Sequence, residues 1–352
     1  MKRNSNSNLA ILGLLIFVVG VAVVIIEYQT TRYSLPAPTS PSRPVSANSI
    51  GWVEKWRRPL LLAGNKSTTG AITNEVLIVP VQVAGGMRLS ALNAANGYTR
   101  WEQEADAKQA RLESLDSLAA DQDRVYVISS FALSAYHAVD GRPLWTTLAF
   151  YAHTTGEILP LAGTGVVQVQ VLRSLGGATL YAFDAQSGSA KSTQESRFVL
   201  KLKTDAATYY LGKDFDLLSI DNQSGQTLWT VKTRGMSGKP SLTDANVLVI
   251  QSGPFLTKLV GLDPASGKML WQTAEENIAS NFLVLADTVY ALTTKPAIVG
   301  YDVLTGHEKN RLTFGGEALD VQHAPNFWLL SDDSHVFAYF SDSQELIAFE
   351  QQ

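Results

Sequence analysis

Residues 259–272 read LVGLDPASGKMLWQ: a short apolar run, a polar turn around Asp263 and Gly267, and a second run that reaches Trp271. The stretch has relatives along the chain: LSALNAANGYTRW from Leu89, LSAYHAVDGRPLW from Leu133, LYAFDAQSG from Leu180, LLSIDNQSGQTLW from Leu217 and IVGYDVLTG from Ile298. A shortened copy, LIAFE, starts at Leu346. The residues in the Asp263 slot are Asn93, His137, Asp184, Asp221, Asp263, Asp302 and Glu350, separated by 44, 47, 37, 42, 39 and 48 positions on subtraction. A period near 40 is that of propeller blades.

Each column of the repeat has a physical reading. Side chains alternate across a strand, so Leu259, Gly261 and Asp263 share one face and Val260 and Leu262 the other. Two places before the Asp slot the residue is always small: Ala91, Ala135, Ala182, Ser219, Gly261, Gly300, Ala348. The other face is mostly apolar or aromatic. A strand with one face in water would alternate apolar and polar, so sheets stacked face to face around an axis are expected, the small column letting the next sheet approach.

The Gly four places after the slot recurs in all six complete copies: Gly97, Gly141, Gly188, Gly225, Gly267 and Gly306. A turn with positive φ demands it. Asp or Asn at the slot accepts hydrogen bonds from nearby backbone N–H groups; His137 and Glu350 depart from this. Four places later stands Trp in four copies, Trp101, Trp145, Trp229 and Trp271, with Ser192 and Asn310 in the other two. A ring on an outer strand covers the gap between neighbouring sheets. Two further runs precede each copy, so the unit is four strands. The chain ends just after the third strand of its last unit, and the missing strand is expected from GWVEKWRRPL, Gly51 to Leu60, carrying Trp52 and Trp56. That pairing closes the ring and removes the exposed edge. The expected fold is all-β, a seven-bladed propeller of four-stranded blades over 51–352, eight blades being the alternative.

The pattern L-x-A-x-D-x-x-[ST]-G-x-x-x-W resembles the quinoprotein-type repeat, named for pyrroloquinoline-quinone (PQQ) dehydrogenases. It is also similar to the repeat of propellers without quinone, such as the outer-membrane assembly lipoprotein of the barrel-insertion machinery. The resemblance covers about residues 51 to 352 and implies the fold; the repeated residues build blades, so it carries little about function. The dehydrogenases typically have eight blades, hold quinone and Ca²⁺, and many place a Cys pair over the quinone. The assembly lipoprotein also has eight blades and a lipidated Cys. This chain has no Cys, and neither function transfers directly.

Ahead of the repeats, Leu9 to Ile26 is an uncharged stretch of 18 residues, LAILGLLIFVVGVAVVII, preceded by Lys2 and Arg3. It matches the hydrocarbon thickness of a bilayer, and the positive flank is expected to stay in the cytoplasm. An uncleaved signal-anchor helix is the reading; a cleaved signal peptide is the rival. The segmentation is a cytoplasmic N-terminus (1–8), a transmembrane helix (9–26), a Pro/Ser-rich tether (27–50) and the propeller (51–352), on the extracytoplasmic side of the cytoplasmic membrane.

The 352 residues are 45% hydrophobic and 17% charged with a net charge of −4. That is a globular composition with no basic stripe, which argues against nucleic acid. Without Cys there is no disulfide, thiolate nucleophile, Cys-ligated zinc or iron–sulfur cluster. His137, His307 and His335 fall at turns, whereas His153 and His323 lie near first strands that line the axis and are the better site candidates. The acidic pairs Asp121/Asp123, Asp332/Asp333 and Glu275/Glu276 read as solvated turns rather than catalytic dyads. There is no calcium loop, Walker loop, GxSxG or HExxH, and no catalytic, cofactor-binding or metal residue is assigned. The expected function is a membrane-anchored interaction scaffold or accessory subunit of an envelope complex, with contacts through Ala105–Arg111, Arg173–Ala178 and Thr233–Lys239. The alternatives are a PQQ-dependent or other small-ligand enzyme with its site at the axis, and a ligand sensor.

Overall fold

In a computed structural model of the chain, the described residues are 44–48, 50–62, 70–83, 86–104, 115–129, 132–148, 156–161, 163–173, 177–212, 216–233, 235–253, 257–274, 278–319 and 327–351. They form seven antiparallel sheets in a closed ring. Blade 1 consists of Ala71–Thr73, Val76–Val83, Gly86–Asn93 and Thr99–Glu104, and blade 2 of Leu115–Ala120, Arg124–Ser129, Ala132–His137 and Pro143–Leu148. Blade 3 is Gly156–Leu161, Val166–Leu172, Ala178–Asp184 and Ala190–Ser196; blade 4 is Val199–Lys203, Ala207–Leu211, Asp216–Asp221 and Thr227–Lys232. Blade 5 is Met236–Leu242, Leu248–Ser252, Lys258–Leu262 and Met269–Gln272; blade 6 is Ile278–Leu285, Thr288–Thr293, Ala297–Asp302 and Glu308–Phe314.

Blade 7 is built from both ends of the fold. Trp328–Ser331, His335–Phe340 and Glu345–Gln351 receive Trp52–Pro59 as the outer strand, with Trp56 opposite Ala348. The expected ring closure is therefore present, and the count is seven. Inner strands of adjacent blades touch at six seams, blade 7 against blade 1 included, and between blades 3 and 4 the contact runs from the second strand of blade 3 to the first strand of blade 4. Strand direction alternates within each blade. The turns after the first and third strands thus share one end of the ring, and the blade-to-blade connections share the other.

The segment 27–50, expected as a tether, contributes a strand within its described part. Val45–Asn48 pairs with Glu308–Phe314 as a fifth, outermost strand of blade 6. The carbonyl of Pro44 accepts from the Gly315 amide at 2.7 Å. The stretch 9–26, expected to span a membrane, lies outside the described residues; among those described, no helix is long and apolar enough to cross a membrane.

The core is a set of interblade layers. Buried apolar clusters join blades 1 and 2, 2 and 3, 4 and 5, 5 and 6, 6 and 7, and 7 and 1. Among the described residues none joins blades 3 and 4. The second strand of blade 3 shows why. In VVQVQVL, Val167, Val169 and Val171 pack towards blade 2. The opposite face carries Gln168 and Gln170, and Gln170 meets blade 4 by hydrogen bonds. Its Nε2 donates to the Leu200 carbonyl at 3.0 Å and its Oε1 accepts from the Leu200 amide at 2.6 Å. The side-chain amide takes the place of a strand where the first strand of blade 4 bulges at Leu200–Leu202.

Candidate functional site

The repeat residues assemble into two devices. The first is the turn. The Asp263 carboxylate accepts from the Ala265 amide at 3.0 Å and the Ser266 hydroxyl at 2.6 Å, while its carbonyl accepts from the Gly267 amide at 2.8 Å. Gly267 has φ +70°, the left-handed region where a side chain is costly. Asp184, Asp221 and Asp302 make the same turn with Ser187, Ser224 and Thr305. These contacts hold all four carboxyls below the usual range. Asp184 is drawn down to about 2, chiefly by the Lys191 ammonium. The Ser224, Ser266 and Thr305 hydroxyls lead for the other three. Asn93 accepts from the Ala95 and Asn96 amides without charge. His137 cannot serve as a carboxylate, and Asp140 takes over, meeting His137 Nδ1 at 2.8 Å and accepting from the Arg142 amide at 3.1 Å. Glu350 instead pairs with Lys55 of the closing strand at 2.6 Å.

The second device is the indole latch. Each Trp stands opposite a small residue of its own blade: Trp101 opposite Ala91, Trp145 opposite Ala135, Trp229 opposite Ser219, Trp271 opposite Gly261 and Trp56 opposite Ala348. A Cβ at Gly261 would stand 2.3 Å from Cε2 of Trp271. The small column thus makes room for the blade's own ring, which corrects the expectation that it spaces neighbouring sheets directly. The ring then crosses the seam onto the turn glycine of the next blade: Trp56 on Gly97, Trp101 on Gly141, Trp145 on Gly188, Trp229 on Gly267, Trp271 on Gly306. Each indole N–H donates to the carbonyl just after the next blade's slot residue, Ala94, Ala138, Ala185, Pro264 or Val303, at 2.8–3.1 Å.

Two seams lack a Trp, and they differ. Between blades 6 and 7, Asn310 holds the slot, and the added strand Val45–Asn48 covers that edge. Trp52, buried against Tyr290 with ring centroids 4.7 Å apart, and Phe314 seal the layer beneath. Between blades 3 and 4, Ser192 stands opposite Ala182, and among the described residues neither ring nor strand replaces the latch. Nothing lies within 4 Å of a Cβ built on Gly225. Gly225 and Asn222 are exposed, whereas the five latched glycines and the five carbonyl residues that accept the indoles are buried. The outer strand Ala190–Ser196, AKSTQES, is exposed along almost its whole length. The sequence shows Ser192 as a substitution but gives no sign that its seam is open among the described residues while that of Asn310 is filled.

The other candidates resolve into turns or fall outside the described residues. Asp121 accepts from the Asp123 and Arg124 amides and from the Tyr126 hydroxyl at 2.7 Å. Asp332 accepts from the Ser334 and His335 amides. Burial pushes the Tyr339 phenol up to about 12, and its oxygen accepts from the Leu62 amide at 3.2 Å. His153, His323, Glu275, Glu276 and Ala105–Arg111 lie outside the described residues, as do parts of 173–178 and 233–239. Among the described residues no three His, Asp or Glu side chains gather as a metal centre.

A family model described as "Outer membrane protein assembly factor BamB" matches residues 54–213 and 213–350. Among solved structures, the chain is similar to BamB from Moraxella catarrhalis, at 16% identity over 88% of this chain and 95% of that one, with a TM-score of 0.55. It is similar to the quinohemoprotein alcohol dehydrogenase from Comamonas testosteroni at 12% identity, over 92% and 79% of the two chains, TM-score 0.52. The computationally designed Ika8 protein aligns at 12% identity over 84% and 100%, TM-score 0.51. At these identities the likenesses show the fold alone. Comparison with curated protein sequences yields no match.

Proposed function

The chain belongs to the family of the outer membrane protein assembly factor BamB, and from that premise we propose that it is a non-enzymatic interaction scaffold, an accessory subunit of a membrane or envelope complex. The N-terminal stretch 9–26 anchors it as a single span, and the propeller stands on the extracytoplasmic side. The observation that carries this reading is the use the ring makes of its reactive side chains. The slot aspartates, Asp121, Asp332, His137 and His335 are engaged in turns, and the seam between blades 3 and 4 departs from the repeat by staying open among the described residues. A rigid ring with engaged polar groups and an irregular rim suits docking rather than turnover.

Co-purification tests this. The full-length protein is extracted from its native membrane in several mild detergents and isolated under each. The reading expects the same protein partner in near-stoichiometric amount each time. Recovery of the chain alone under all conditions would overturn it.

A further inference from the structure

We propose that the seam between blades 3 and 4 is a docking socket for an extended segment of another protein that bears a tryptophan. The segment pairs along the open edge Ala190–Ser196, one strand spacing outside the latch position, and its indole reaches back across Ser192 into the seam. The inference rests on the scaffold reading and adds the site and the chemistry of the partner.

Three observations converge on it. The first is shape. Five seams are closed by an indole lying on a small residue, against a turn glycine and under a carbonyl. Here Ala182, Gly225 and the Asn222 carbonyl hold the same positions, with no ring of the described residues against Gly225. Among the described residues no hydrogen bond reaches the Asn222 carbonyl; its side-chain amide is turned the other way, onto Thr204 and Asp205.

The second is the missing layer. This is the one interblade face, among the described residues, without a buried apolar cluster, and Gln170 bridges its inner part. The third is precedent within the molecule. The other Trp-less seam is covered by an added strand, Val45–Asn48. The outer edge of a blade in this ring therefore accepts an extra strand, the pairing by which many extended peptides bind.

The occupant comes from a different protein. The chain has seven tryptophans. Five are latches; Trp52 is buried against Tyr290 and Phe349, and Trp328 against Tyr339. Neither this chain nor a second copy of it has an indole to lend without opening one of its own seams. The edge itself is Ser, Thr and Gln with Lys191 and Glu195, already paired with Asp184 and Arg173. It offers backbone pairing and little apolar surface, so the indole supplies most of the apolar contact.

The probe is the chain's own latch strand as a synthetic peptide, residues 226–232 (QTLWTVK), capped at both ends, with a Trp→Ala version as control. Each is titrated into the full-length protein in detergent while amide shifts are followed by NMR. The proposal expects saturable binding, with shifts confined to blades 3 and 4, and affinity about tenfold or more lower for the control. Ser192→Trp, which fills the socket from within, abolishes binding and raises the unfolding midpoint. Should that variant misfold, Ala182→Glu, which puts a charge on the socket floor, is expected to abolish binding while the edge strand stays free. No saturable binding up to about 1 mM, equal affinity for the control, or undiminished binding to both variants overturns the proposal. If Ser192→Trp leaves a co-purified partner in place, the socket is refuted and the scaffold reading stands. If it strips the partner away, the two are joined.

Discussion

The indole N–H of Trp271 in blade 5 donates to the Val303 carbonyl in blade 6 at 2.8 Å, and its Cε3–Cδ2–Cγ edge covers Gly306 there while its Cε2–Nε1 edge lies over Gly261 at home. One side chain thus links two sheets that share no backbone ladder. Trp271 is 6% exposed, so Trp271→Ala is expected to cost about 3–5 kcal/mol. Trp271→Phe keeps part of the packing but leaves the Val303 carbonyl without its donor, a further loss of about 1 kcal/mol relative to a ring that kept the bond. Urea unfolding of both variants separates the two parts, since both lack the donor to Val303; equal costs would show that the ring contributes nothing beyond its hydrogen bond.

The latch also sets the cost of altering a turn glycine. Gly267→Ala places a methyl 2.6 Å from Cδ2 of Trp229, at φ +70°, whereas Gly225→Ala meets open space at φ +68°. Both pay about 1–2 kcal/mol for the left-handed backbone; only the first must also displace a ring. Gly267→Ala is expected to be clearly the more destabilising in thermal unfolding.

Acid should loosen the ring through the slot carboxylates. Their folded pKa values lie below the unfolded value of about 3.9, so the unfolded chain binds more protons at low pH. The stabilisation is full above about pH 4 and is lost as pH falls through the folded values, which for Asp184 means towards about 2. Asn93 fills the same slot without titrating. Replacing Asp184, Asp221, Asp263 and Asp302 together by Asn is therefore expected to flatten the fall in melting temperature between about pH 4 and pH 2. An unchanged acid profile would contradict this.

Ring closure depends on Trp52–Pro59. A chain beginning at residue 61 leaves Glu345–Gln351 as an open edge and Gly97 without the Trp56 ring. It is expected to lose cooperative unfolding and to aggregate through that edge. A peptide of residues 51–60 supplied in trans should restore a single transition. Wild-type cooperativity without the peptide would show that closure is dispensable.

Much of this architecture is legible in the sequence because each blade repeats the same local solution. Asp263, Gly267 and Trp271 mark a third strand, a turn and a fourth strand, and a final unit that stops at Glu350 demands a strand from elsewhere. Three features are not legible, for physical reasons. A small residue such as Gly261 signals crowding but not its source, and the crowding comes from Trp271 in the same blade. Val45–Asn48 sits in a Pro- and Ser-rich segment and gains its strand from the free edge of blade 6 rather than from its own propensity. Ser192 and Asn310 look alike as replacements for Trp, yet among the described residues the Asn310 seam is covered and the Ser192 seam open, because covering depends on chain far away in sequence.

Native mass spectrometry of the complex released from its own membrane tests the scaffold reading most directly, since protein partners and small ligands register in the same spectrum. The account predicts the 38.2 kDa chain together with the mass of at least one other polypeptide. The chain alone, or the chain carrying only the increment of a bound quinone and a calcium ion, would contradict it.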